Sequence, residues 1–167
     1  FVMDQGVGLK TWKPENYGKK FYGPSTLRTG LEKSRNLMTV RVAQKVGFDQ
    51  ISKITKDFGI YDAIPELLSV SLGAAETTLI QLTNAYCTFV NGGKKVIPIF
   101  IDRIQDRRGK TIFNADKRKC IGCKEISYLE DEIPIIQDNR KQIISSETAY
   151  QITSMLEGVI KRGTGRK

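Results

Sequence analysis

An α+β fold, predominantly helical with a small antiparallel β-hairpin, follows from three features of this 167-residue chain. Apolar residues recur at helical spacing through most of 25–93. The pattern changes to β-branched alternation between Val96 and Gln105. Helical spacing then returns after residue 145. At this length one ordinary hydrophobic core is possible.

Residues 1–24 are rich in Gly, Lys and aromatics, and Trp12-Lys13-Pro14-Glu15-Asn16-Tyr17 has turn chemistry, which predicts an extended arm. Trp12, Pro14 and Asn16 either brace that arm or line the rim of a cleft. A helical lobe is predicted over 25–93. Leu27 and Leu31 stand one turn apart, with Ser25 placed to cap their helix. The pattern breaks at Ser34-Arg35-Asn36 and resumes with Met38, Val42 and Val46 on one stripe, supported by Ala43, until Gly47. Asn36 is placed to cap this second helix. Asp49 starts a third, in which Ile51, Ile54, Thr55 and Phe58 keep helical spacing and Gly59 supplies the stop. Residues 65–73 read as irregular or briefly extended. Leu79, Leu82, Tyr86, Phe89 and Val90 share the next helical face, which ends at Asn91-Gly92-Gly93. Such stripes are read first as core.

Residues 94–113 are predicted to form the hairpin, turning at Arg107-Arg108-Gly109-Lys110 into Thr111-Ile112-Phe113. Residues 114–142 read as a charged insertion, too long for a simple connection. A C-terminal helix within 143–167, from Ser146 to Arg162, turns Ala149, Ile152, Leu156, Val159 and Ile160 inward.

The net charge of +9 suits anionic partners, so the alternative reading is a basic, non-enzymatic module binding nucleic acid or anionic polymer. The basic residues, however, spread from Lys10 to Lys167, and no aromatic residues interleave with them as in base-stacking platforms. No nucleic-acid partner is therefore expected. Histidine is absent, which removes Ser-His-Asp and Cys-His activation as well as paired-histidine metal sites. Three cysteines are too few for a four-thiolate zinc site. Cys120-Ile121-Gly122-Cys123 has redox or metal spacing, with a local disulfide or an inert pair as the alternatives, and Cys87 is expected in the core. No metal and no cofactor is expected. No apolar run approaches the roughly 20 residues that crossing a bilayer takes, so no membrane contact is expected of these residues themselves. Phe1 at one end and Lys161-Arg162-Gly163-Thr164-Gly165-Arg166-Lys167 at the other suggest a piece of a longer protein.

The triplet Ser34-Arg35-Asn36 has the form Ser-x-Asn, the middle one of three motifs that build an active-serine site acting on penicillins. The other two, Ser-x-x-Lys and Lys-Thr-Gly, do not occur here. Around the triplet stand Gly23-Pro24-Ser25-Thr26-Leu27-Arg28, Leu31-Glu32-Lys33 and Val40 to Gly47. Further on come Leu72-Gly73-Ala74-Ala75-Glu76-Thr77-Thr78, Ala85-Tyr86 with Asn91-Gly92-Gly93, and Ser146-Glu147-Thr148-Ala149 leading to Gly163-Thr164-Gly165. In this order and spacing the chain resembles the transpeptidase domain of a class A, bifunctional penicillin-binding protein of the 1A type. Only 114–140 lacks a counterpart.

That resemblance implies the helical part of a penicillin-binding-protein/β-lactamase-like transpeptidase domain. Its parent would be a peptidoglycan synthase on the periplasmic face of the inner membrane, with a glycan-polymerising domain elsewhere. The parent's partners would be peptidoglycan stem peptides and β-lactams. Ser34 would be the catalytic hydroxyl that relays a proton, and Asn36 the substrate-binding amide. Ser25-Thr26-Leu27-Arg28 imitates Ser-x-x-Lys but ends in arginine, which stays protonated and cannot act as a base. Lacking the nucleophile, the isolated segment is expected to be inactive. With neighbouring strands missing, its uncovered apolar helical face favours self-association.

Overall fold

A computed structural model of the chain describes residues 2, 11–118, 120–121 and 135–166, so Cys123 and Pro134 lie outside the described residues. The chain divides into one unit of residues 1–95 with 142–167 and a second of residues 96–141.

The first unit is helical: α1 (Leu27–Glu32), α2 (Asn36–Val46), α3 (Phe48–Phe58), a 3₁₀ turn (Leu68–Leu72), α4 (Leu79–Val90) and α5 (Ser146–Arg162). α5 packs on α1 and α4. α2 packs on α1, on α3 and on the 3₁₀ turn, and α3 packs on α4. Local chemistry fixes the helix starts. Thr26 Oγ1 accepts from Thr29 N at 3.2 Å, Thr78 and Gln81 make a reciprocal capping box, and Ser145 Oγ accepts from Thr148 N at 3.2 Å. Thr26, not Ser25, is thus the cap of α1, while the Ser25 hydroxyl donates to Gly23 O. The 3₁₀ turn occupies a stretch expected to be irregular or extended.

Packing sides agree with the apolar stripes at Ala43, Phe58 and Ala149 and differ from them elsewhere. α2 buries Leu37, Val40 and Ala43, whereas Val42 and Val46 face solvent. α4 buries Ala85 and Thr88, while Leu79 is 82% and Val90 78% exposed, and Cys87 is exposed rather than in the core. On α5, Ala149 is fully buried and Ile160 is exposed. On α4 and α5 the small residues Ala85, Thr88 and Ala149 lie innermost and let helix axes approach closely. Phe58, buried, meets Phe89 with ring centroids 5.0 Å apart and fixes α3 on α4. Behind α4, the Gly93 carbonyl accepts from Ile143 N at 2.8 Å, and Lys94, expected in the hairpin, bridges Gln142 instead.

In the second unit, β1 (Arg103–Gln105) pairs antiparallel with β2 (Thr111–Asn114), Ile104 opposite Phe113. Asp106 closes the turn by accepting from Arg108 N and Lys110 N. The ladder is shorter than the alternation from Val96 predicts, and 96–102 belong to no strand. Within the charged segment β3 (Cys120–Ile121) pairs antiparallel with β4 (Ile135–Ile136), strands too short to leave a period in the sequence.

Candidate active site

The junction between α1 and α2 is a hydrogen-bonded helix stop. Ser34 N donates to Leu31 O at 3.1 Å and Arg35 N to Gly30 O at 2.9 Å, the paired pattern in which the intervening residue turns left-handed. Glycine usually fills that place. Here it is Ser34, at φ 50°, exposed to solvent. A non-glycine residue in that region is uncommon, and Lys19, at φ 53°, is the other one among the described residues. Arg35 then returns to the extended region and caps α2 through its backbone alone.

Asn36 is the first residue of α2, so it does not cap the helix. Its side chain points back to the arm, and Nδ2 donates to Glu15 O at 3.0 Å. The capping role passes to Asn16: its Oδ1 accepts from Leu37 N at 3.2 Å, and its Nδ2 donates to Lys20 O at 2.8 Å. The arm is thus bound to the start of α2 by two consecutive residues. Next to this join lies a cleft of about 430 Å³, lined by Asn16, Phe21, Tyr22, Arg35, Leu37 and Arg41 among others. Ser34 and Asn36 are not among its lining residues. The Arg35 guanidinium lies 3.0 Å from the Tyr22 ring centroid, and its buried Nε meets no hydrogen-bond partner among the described residues. Stacking on the ring holds that cation in place of a polar partner.

On the other side of the turn stands a buried carboxylate. Glu32, the last residue of α1, is 5% exposed. Arg162 grips it with both fork nitrogens, Nε to Oε2 at 2.9 Å and Nη2 to Oε1 at 2.5 Å, and Arg28 lies 3.6 Å from Oε1. The Arg162 hydrogen bond holds the Glu32 carboxyl below its ordinary value of 4.5 against the opposing effect of desolvation. Arg28 also reaches Ser154 on α5, so it belongs to this contact and not to a Ser-x-x-Lys-like pair with Ser25. The sequence reading did not single out Glu32 or Arg162. The only local sign was the Arg28–Glu32 spacing of four. Among the described residues no group of three or more His, Cys, Asp or Glu could hold a metal ion, and no helix is long and apolar enough to cross a membrane.

Residues 2–167 match the family described as the penicillin binding protein transpeptidase domain. The sequence is similar to Penicillin-binding protein 1A of Rickettsia bellii, 47% identical over 166 residues that cover 97% of this chain and 21% of that protein. The chain spans about a fifth of the length of the curated relatives it matches. The structure is similar to the crystal structure of Penicillin-Binding Protein 1A from Haemophilus influenzae, with TM-score 0.78 and 32% identity, covering 100% of this chain and 26% of that one. Penicillin-binding protein A from M. tuberculosis, solved as an imipenem acyl-enzyme complex, shares the fold at TM-score 0.65 and 17% identity, over 95% of this chain and 36% of that one.

Proposed function

The chain belongs to the penicillin-binding-protein transpeptidase domain family, and on that premise we propose that Ser34-Arg35-Asn36 is the Ser-x-Asn corner of a D-Ala-D-Ala transpeptidase site that cross-links cell-wall stem peptides. The observation that carries this reading is the backbone of Ser34: an exposed serine at φ 50° in a place that glycine usually takes, two positions before Asn36.

In this reading the nucleophilic serine and its lysine come from residues beyond this sequence. That serine attacks the carbonyl of the penultimate D-alanine, the terminal D-alanine leaves as an amine, and an acceptor amine resolves the acyl-enzyme. The departing amine needs a proton, which the Ser34 hydroxyl relays. An amide NH₂ has two donors. The bond to Glu15 O uses one, and the other serves the substrate's peptide carbonyl. β-Lactams acylate the same nucleophile. The same proposal places the whole protein on the periplasmic face of the inner membrane, with a glycan-polymerising domain outside these residues.

The test is acylation by a fluorescent penicillin. This chain alone is expected to take no label that survives denaturation. A chain extended to the length of its relatives is expected to be labelled stoichiometrically, with Ser34→Ala slowing acylation by about 10²–10⁴-fold. Covalent labelling of the 167-residue chain would overturn its inactivity, and an unlabelled extended chain would overturn the transpeptidase reading.

A further inference from the structure

Where α1 meets the end of α5, several polar contacts converge. Besides the Arg162 fork on Glu32, Thr164 N donates to Glu32 O at 3.1 Å and Lys33 Nζ to Arg162 O at 2.6 Å. Ser154, Gly158 and Arg162 follow one another at helical spacing along α5 and present one stripe to α1. Ser154 receives Arg28, Gly158 lies against the Glu32 carboxylate, and Arg162 grips it. A Cβ at Gly158 would collide with Glu32 Oε1, and one at Gly163 with Glu32 O. The two helix ends therefore touch through backbone and charge with no slack. One residue, Lys33, separates this joint from Ser34.

We propose that Glu32 is a positioning residue: its forked pair with Arg162 sets the Ser34–Asn36 turn against the segment that leaves α5 at Gly163. This inference rests on the transpeptidase reading above. Glu32 is buried but the Arg162 side chain is 53% exposed, and an ion pair with one partner in solvent adds little stability, whereas a two-pronged guanidinium–carboxylate contact fixes distance and angle. The geometry suits that second task. Glu32 lies two residues before Ser34, and Arg162 lies at the exit of α5, 130 positions away in sequence. A shift of one end would carry the other with it. Misplacement of a catalytic group by about 1 Å costs on the order of 10²-fold in rate.

The experiment uses the chain extended to the length of its relatives, with Glu32→Gln and Arg162→Lys. The acylation rate is followed against fluorescent-penicillin concentration, so that the limiting rate and the half-saturating concentration separate. Both variants are expected to lower the limiting rate by about 10–100-fold with little change in half-saturation. Arg162→Lys keeps the charge and loses the fork, so its failure to rescue separates positioning from simple charge pairing. Wild-type limiting rates in both folded variants would overturn the proposal. Amide hydrogen exchange on the same extended chain gives a second readout that needs no label. Ser34, Arg35 and Thr164 are expected to exchange faster together in Glu32→Gln, and unchanged exchange at all three would overturn the joint. If the extended wild type takes no label, the transpeptidase reading fails, and the exchange result still decides the joint.

Discussion

Ser34 holds a backbone angle that L-residues seldom adopt, and Asn36 lies within a turn of it, so the candidate site is a local object written in three consecutive letters. Its support is not local. Asn16 supplies the cap that Asn36 was expected to give, because Asn36 is already inside the helix and its side chain reaches the arm at Glu15 O. Gly93 shows the same dependence on distant chain. Its φ is 82°, and a Cβ there would overlap Ile144 O, the far side of the join between residues 93 and 142–144. Gly93→Ala is expected to lose roughly 1–2 kcal/mol from the left-handed backbone alone, and more from the overlap. Urea denaturation should show this as a lower midpoint at unchanged slope.

At the scale of elements, helix positions were legible and helix faces only in part: Ala43, Phe58 and Ala149 are buried as their spacing predicts, whereas Val42, Leu79 and Ile160 are exposed. α3 ends at Gly59 and α5 runs from Ser146 to Arg162 as the spacing and caps predict. α2 carries two apolar stripes, Leu37-Val40-Ala43 and Met38-Val42-Val46, and which of them is buried is decided by where α1, α3 and the 3₁₀ turn sit. Charged, weakly periodic sequence likewise concealed β3 and β4. The element contact with the most to lose is α3 on α4. Phe58→Ala would remove a buried ring from against Phe89 and is expected to destabilise by about 3–5 kcal/mol, a large share of a domain's total. Loss of the cooperative thermal transition, with Phe58→Leu intermediate, is the measurement.

Across the whole molecule, the absence of histidine and the depressed carboxyls set the pH response. Arg162 lowers Glu32, Lys161 lowers Glu157, hydrogen bonds from its own backbone N–H and from Ser145 lower Glu147, and Arg118 lowers Asp116 to about 2. A carboxyl lowered in the folded state adds stability that is fully present above its unfolded value and is lost as pH falls through the folded one. Stability is therefore expected to be level from about pH 5 to 7, where no histidine titrates, and to decline from about 4.5 toward 2. Circular dichroism across that range checks it, and a transition near pH 6 would contradict it. The apolar groups that face solvent, Leu79, Val90 and Phe100 among them, are the physical ground for expecting self-association of the segment alone. Composition, helix spacing and the Ser-x-Asn triplet were determined by the sequence, because capping, periodicity and motif order act over a few residues. Which stripe of α2 is buried, the Asn16 latch on α2 and the Glu32–Arg162 joint were decided only by the tertiary structure, because those partners meet across long stretches of chain that carry no local signal of their contact.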